Sequence, residues 1–515
     1  MARLEPTSIA QGLSLPATAS LVANRRLAVA VALGIAVAVG LLTSFVAPRG
    51  PTTAANALFV MAVGLLHGVA SGALVRSRWS LVVLIVAYFV GIEAGRLNVV
   101  GAALDLRLDN PYGLIAFVLT RGVHAVLVLP PLAFGLLVGH AVARRAGWSP
   151  SRPGRRLPVG SAMVGVIAAA LAVLVAWPAS TPPVMGRDGR PVPGGIADMA
   201  TVRLGGADQT VMIRAADPDK PVLLYLSGGP GQSDLAYARV LLEPLTADFV
   251  VAVWDQRGSG RSYAALDPTS SLTLEQAIAD TVELSEYLRN RFSEQKIYVL
   301  GESWGTTLGV LAVQDRPDLF HAYIGSGQMV SQRQTDRIIW RDLLAYADRT
   351  GNGDLYDQVL TLGEPPYRDT PWANSVVMGY YPLIETPYTP PAAYVDRGNA
   401  SGVGPYGVLA SEYAFIDKMN VIRGLVDMFS LMYPQLQGID FRTDVTALEV
   451  PVYVLDGAHE LVGRRDLAHE WFEGLSAPHK ELITYEDAGH SVVFEEADAF
   501  HRLMTESIVP ATYRN

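Results

Sequence analysis

Hydrophobic and polar positions follow two different rhythms along this chain. Up to residue 177 the apolar residues gather in long runs: Leu27–Ala47, Ala55–Val75, Trp79–Gly95, Leu114–Ala141 and Val159–Trp177. A helix needs about 20 apolar residues to cross roughly 30 Å of hydrocarbon. The pattern therefore predicts five membrane-crossing helices, the third short and the fourth kinked at Pro130 and Pro131. Any one run could be a buried core helix or a signal sequence, but five in succession argue for a bilayer as solvent.

From about Ala197 the rhythm shortens. Val211–Arg214, Val222–Ser227, Phe249–Trp254, Ile297–Gly301, Ala322–Gly325, Val452–Leu455 and Glu481–Tyr485 read as strands. Leu274–Phe292, Gly305–Gln314 and Val492–Ser507 read as helices. Continuous apolar strands alternating with helices predict an α/β architecture, a mostly parallel sheet covered on both faces. Between Met329 and about Leu448 the alternation stops, and this stretch holds 10 of the 21 tyrosines together with Trp340 and Trp372. It is expected to form a helical cap over the sheet, with aromatic side chains suited to a substrate pocket. The expected division is an all-α transmembrane domain at 1–178, a Pro- and Gly-rich linker at 179–196, and an α/β domain at 197–515 with its cap at about 329–448.

Charge follows the same division. The first 180 residues hold 14 Arg and no Lys against 4 acids, and the remainder holds 26 basic residues against 45 acids. An acidic globular part excludes a phosphate-binding surface, so nucleic acid is not an expected partner. Arg3, Arg25 and Arg26 precede the first run, Arg76 and Arg78 separate the second from the third, and Arg144, Arg145, Arg152, Arg155 and Arg156 separate the fourth from the fifth. Positive loops stay inside, which puts the N-terminus in the cytoplasm and the α/β domain outside, on a multi-pass chain whose partner is the lipid bilayer. Within the runs, Glu93 and Arg121 are expected to pair or snorkel, and His67 and His124 to pack. The absence of cysteine excludes disulfides, thiolate metal sites and a cysteine nucleophile.

Chemistry enters at Gly301-Glu302-Ser303-Trp304-Gly305, which follows an apolar strand and precedes a helix. The strand-to-helix turn is so tight that side chains two positions either side of the serine would collide, which is why glycine stands there. A serine hydroxyl needs a base to take its proton and an acid to hold that base in the right tautomer. In this architecture both follow the serine, acid first. His490, directly after the last strand and Gly489, is the expected base. Two carboxylates compete for the acid beyond the preceding strand: Glu460, three residues after Gly457, is preferred over Asp456 at the strand end. Ser227-Gly228-Gly229-Pro230-Gly231 closes an earlier strand. The N–H groups of Gly228 and Gly229, with that of Trp304, are the expected oxyanion donors. Such chemistry calls for no metal and no organic cofactor.

Together with Trp254-Asp255-Gln256-Arg257-Gly258-Ser259-Gly260-Arg261-Ser262, these motifs resemble the proline iminopeptidase (prolyl aminopeptidase) family of α/β-hydrolase serine peptidases, over about residues 198 to 510. The resemblance implies an α/β-hydrolase fold and release of an N-terminal residue, often proline, from a peptide, with cap carboxylates holding the free amine. Glu412 resembles one amine-binding glutamate of that family, and Asp255 is expected to pair with Arg257 or Arg261. Ser227, Glu302 and Glu460 depart from the family's usual histidine, small residue and aspartate. The leading expectation is a membrane-anchored serine hydrolase acting on a peptide or small acyl substrate. An esterase or amidase, or a membrane sensor that uses the hydrolase fold only to bind, are the alternatives.

Overall fold

The computed structural model describes residues 24–75, 80–105, 107, 111–146, 159–404 and 407–513. Arg3, Arg76, Arg78, Arg152, Arg155 and Arg156 of the charge argument, and Trp79 at the start of the third run, lie outside the described residues. The chain forms two compact units: one takes the residues up to Val99 with Val118–Trp177, and the other takes Val100–Phe117 with the chain from Pro178 onward.

The first unit is helical: α1 (Arg25–Val46), α2 (Ala54–Leu74), α3 (Ser80–Gly95), α4 (Val123–Arg145) and α5 (Val159–Ala176). Four helical runs among the described residues, Arg26–Val46, Ala54–Leu74, Gly113–Arg145 and Val159–Ala176, are long and apolar enough to cross a membrane, and the apolar Val82–Gly95 is shorter. Small residues let these helices touch through their backbones. A Cβ on Gly40 of α1 would strike the carbonyl of Tyr88, and one on Gly91 of α3 that of Val37. Gly68 and Gly72 of α2 meet Leu132 and Leu136 of α4 in the same way, and Gly135 and Gly139 return the contact. Glu93 is paired twice: Arg121 donates to it at 3.1 and 2.9 Å and Arg96 at 3.0 Å. Tyr88 and His124 share a buried hydrogen bond of 3.0 Å. Pro130 and Pro131 lie inside α4.

The second unit is built on an eight-stranded sheet in the order β1-β2-β4-β3-β5-β6-β7-β8. Its strands are β1 (Ile196–Leu204), β2 (Ala207–Ala215), β3 (Val222–Leu226), β4 (Val250–Asp255), β5 (Ile297–Glu302), β6 (Phe320–Ser326), β7 (Val452–Gly457) and β8 (Lys480–Tyr485). β1, β2 and β4 pair antiparallel, and from β4 to β8 every pairing is parallel. β3, β4, β5 and β7 are buried along their whole length, as continuous apolar runs require when helices cover both faces. Leu224, Leu226, Val299 and Trp254 share one core cluster, and Leu223, Tyr225, Leu300 and Tyr453 point to the other face. Truncating one such side chain, as in Leu224→Ala, costs roughly 3 kcal/mol.

The chain runs from β3 outward to β4 and then returns to place β5 on β3's other side. Such a reversal opens a crevice at the carboxyl ends of β3 and β5, where α/β sheets hold their ligands. α6 (Leu274–Phe292), capped by Thr273 accepting from the Gln276 N–H at 3.1 Å, and α7 (Trp304–Asp315) are the connecting helices. The stretch expected to be helical from Val492 to Ser507 is so, as two short helices, Val492–Glu495 and Ala497–Leu503, followed by a wider helical turn, Met504–Ile508. The cap is helical, chiefly α8 (Gln332–Thr350), α9 (Gly353–Leu362), α10 (Trp372–Met378) and α11 (Phe415–Met432). α12 (Val462–Gly474) follows β7.

Candidate active site

Ser303 sits between β5 and α7 with φ 52° and ψ −119°, a left-handed conformation that costs a non-glycine residue free energy and persists only where the surroundings enforce it. The flanking glycines explain the enforcement. A Cβ on Gly305 would run into the Leu226 carbonyl of β3, and one on Gly301 into the Gly305 carbonyl. Helix and strand can approach this closely only with hydrogen at those positions. The serine is thereby lifted onto the wall of a cleft of about 400 Å³ shared by Gly229, Glu302, Trp304, Glu385, Arg464 and His490.

His490 lies on the loop after β8, and its Nδ1 is hydrogen-bonded to the Glu460 carboxylate on the loop after β7. Glu460 is 5% exposed. Burial alone would raise its carboxyl, but the His490 and Arg464 charges, the imidazole contact and the Leu461 N–H hold it down at about 2 from an ordinary 4.5. Arg464, one helical turn on, reaches Glu460 at 3.3 Å and lies over the Tyr381 ring at 5.1 Å. Asp456 turns the other way and meets His469 Nε2 at 2.8 Å. Of the two competing carboxylates, it is Glu460 that the fold brings to His490.

Gly229 and Trp304 also line the cleft. Gly228 lies against Ser303, but its N–H is turned toward the buried Asp234 carboxylate and so is occupied. The Trp304 amide opens α7, where the helix dipole adds positive potential. Its indole donates to Gln256 Oε1 at 2.8 Å, and Gln256 donates in turn to the Ser227 carbonyl at 3.2 Å. Gln256 thus ties the elbow to the glycine turn after β3. Asp255 accepts from Ser233 at 2.5 Å and from the Arg261 backbone N–H at 2.7 Å, while Arg257 pairs with Asp280 at 2.9 Å. The pairing expected of Asp255 is therefore made to the backbone of Arg261 and not to a guanidinium, because Arg257 is drawn to α6.

Glu412 does not line the cleft. It is wholly buried against Arg239, with its oxygen 2.6 Å from the guanidinium, so its charge is already spent within the protein. The acids that do line the cleft are Glu302 and Glu385. Burial, with Asp234 adding to it, pushes Glu302 up to about 7 against the opposing pull of His490, and burial also raises Glu385. Glu302 accepts from Ser491 Oγ at 3.0 Å. Sequence reasoning noted Glu302 only as a departure from a pattern, and Glu385, Arg464 and Gln256 it passed over; a carboxylate beside the elbow serine was the one available signal. Of the cap's tyrosines, Tyr381 and Tyr433 face the cleft, beside Trp372, Phe429 and Met329. Among the described residues no group of three His, Asp or Glu side chains is placed to hold a metal ion.

A strained hydroxyl, an imidazole held by a buried carboxylate, and amides at a helix start around one cleft are the parts from which acyl transfer is assembled. Comparison with known proteins bears on the fold and its relatives. Residues 221–497 match the family model described as alpha/beta hydrolase fold. A probable aminopeptidase of Bacillus subtilis is 28% identical over 307 residues, covering 59% of this chain and 94% of the relative. A probable proline iminopeptidase of Leptolyngbya boryana is 26% identical over 298 residues, covering 54% of this chain and 84% of the relative. Among solved structures, a proline iminopeptidase-related protein of Thermus thermophilus is similar over 62% of this chain and 98% of that one, at 20% identity and a TM-score of 0.42. The resemblance read from the motifs is met in these relatives, and the chain belongs to the α/β-hydrolase fold family.

Proposed function

We propose that this protein is a membrane-anchored serine hydrolase that removes an N-terminal residue, proline or another, from peptides. Ser303 attacks the carbonyl, His490 takes the hydroxyl proton and returns it to the leaving amine, and Glu460 holds the imidazole in the productive tautomer. The Gly229 and Trp304 amides receive the developing oxyanion. The observation that carries this reading is the His490–Glu460 contact beside a cleft that both His490 and the strained Ser303 line. The aminopeptidase reading is supported by the relatives named above and by the two acids, Glu302 and Glu385, that line the cleft and suit a substrate ammonium.

Anchoring and sidedness belong to the same proposal. The four long apolar helical runs and the shorter Val82–Gly95, taken as a fifth crossing, support a membrane domain, and the arginine bias supports a cytoplasmic N-terminus with the hydrolase outside. Val100–Phe117 belongs to the hydrolase unit and is followed in sequence by the rest of the run to Arg145 and by Val159–Ala176 before Pro178. Two crossings between them return the chain to the same side.

The test is a reporter panel with free and blocked N-termini, run on purified full-length protein beside Ser303→Ala. Cleavage that needs both the free amine and Ser303 is expected. Equal turnover of blocked substrates and simple acyl esters would replace the peptidase by an esterase or amidase. Failure of a fluorophosphonate probe to label the wild type would favour a binding-only role.

A further inference from the structure

The segment Val100–Phe117 connects the third and fourth apolar runs in sequence, yet it is counted with the hydrolase. Its contacts there are specific. Ala102, Ala103 and Ala116 are at most 3% exposed and form one apolar cluster with Trp372 and Val426. Trp372 and Val426 also line the catalytic cleft, and so stand between it and this segment. Polar ties flank the apolar contact. The Ala103 N–H donates to Asp427 at 2.8 Å, the residue after Val426, and Asp427 also accepts from Tyr263 at 2.7 Å. On the other side Arg107 forms an ion pair with Asp369, three residues before Trp372.

We propose that Ala102, Ala103, Arg107 and Ala116 form a specificity-determining wall of the hydrolase's own cleft, fixing Trp372 and Val426 and thereby setting how large an N-terminal residue is admitted. Three alanines at the contact allow close approach. In a close-packed contact extra methylenes there displace Trp372 or Val426, and both of these side chains line the cleft. Trp372 opens α10, whose Ser375 and Met378 line the cleft, and Val426 lies between Leu425 and Phe429 of α11, which do the same. A shift of the wall therefore moves both helices that bound the substrate's side chain. This rests on the reading of the cleft as a peptidase site.

The experiment compares full-length wild type, Ala103→Leu, Asp369→Arg and the charge-swapped Arg107→Asp/Asp369→Arg double variant on alanyl, prolyl and phenylalanyl anilides sharing one leaving group. Thermal midpoints and fluorophosphonate labelling are recorded for each. Ala103→Leu is expected to lower kcat/KM for the phenylalanyl reporter relative to the alanyl reporter by about tenfold, the scale on which a pocket discriminates a methylene or two, chiefly through KM. Asp369→Arg is expected to shift the same ratio by loosening the wall, and the double variant to bring it back. An equal loss on every reporter would mark a merely structural contact and overturn the proposal, as would a ratio that the double variant fails to restore. A wild type that is unlabelled and inactive would instead remove the hydrolase function, and the wall's role with it.

Discussion

Two buried glutamates interact with the same imidazole, Glu460 by a hydrogen bond and Glu302 through its charge, and their ionisation is set in opposite directions. Glu460, on the loop after β7, is held at about 2, while Glu302, at the end of β5, is pushed up to about 7. Burial raises both. The difference lies in their partners: Glu460 has Arg464, the Leu461 N–H and His490 Nδ1, while Glu302 faces Asp234 and has the neutral hydroxyl of Ser491. Depth in the protein therefore says little about ionisation until the neighbours are named. Glu460 is kept as an anion beside the imidazole, while Glu302 is a carboxyl that ionises near neutrality.

Removing the Glu460 anion is expected to have the largest effect. Glu460→Gln should lower kcat by about 10³- to 10⁴-fold with the fold intact, as the imidazole loses both its tautomer and its counter-charge; Glu460→Asp should recover part of that loss. Steady-state kinetics with a free-amine reporter checks both, and a loss below tenfold would remove Glu460 from the orienting role.

Next in size is Arg464→Met, which leaves Glu460 buried with one cation fewer and should cost about 4 kcal/mol. The sign follows from the depressed value. In the wild type Glu460 contributes stability that is complete above its ordinary 4.5 and is lost as pH falls toward about 2. In the variant the carboxyl is depressed less, so the loss below 4.5 should be smaller, visible as a shallower fall of the thermal midpoint on acidification than in the wild type.

Glu302→Gln sharpens the other side of the contrast. A raised carboxyl contributes stability that is full below 4.5 and lost as pH rises through about 7. The glutamine variant should match the wild type at pH 5 and exceed it at pH 8, by up to about 3 kcal/mol for a shift of this size. Thermal midpoints at the two pH values decide the matter, and equal differences at both would contradict it. The smallest effect is expected from Asp456→Asn, which breaks only the His469 contact and should change kcat by less than about twofold.

The sheet was legible because its central strands are continuous apolar runs, and β3, β5 and β7 fall where that signal placed them. The elbow was legible for a local reason too, since glycines at 301 and 305 answer to contacts within one turn and the strand beside it. β1 escaped notice because Ile196–Leu204 lies at the sheet edge and alternates weakly between half-buried and exposed positions. The choice between Glu460 and Asp456 stayed open in the sequence, because it depends on where the loop after β8 delivers His490. The same is true of Gln256, whose two partners lie 29 and 48 residues away. Fold follows from periodicity, whereas partners depend on three-dimensional return.

The placement of Val100–Phe117 carries a consequence for how this polypeptide can be divided. A gene fragment starting at the Pro-rich junction would encode every residue of the proposed triad, yet would omit the alanines that back Trp372. On the proposed reading such a fragment should show altered selectivity. The hydrolase unit is discontinuous along the chain, with one piece lying in sequence between two apolar helices.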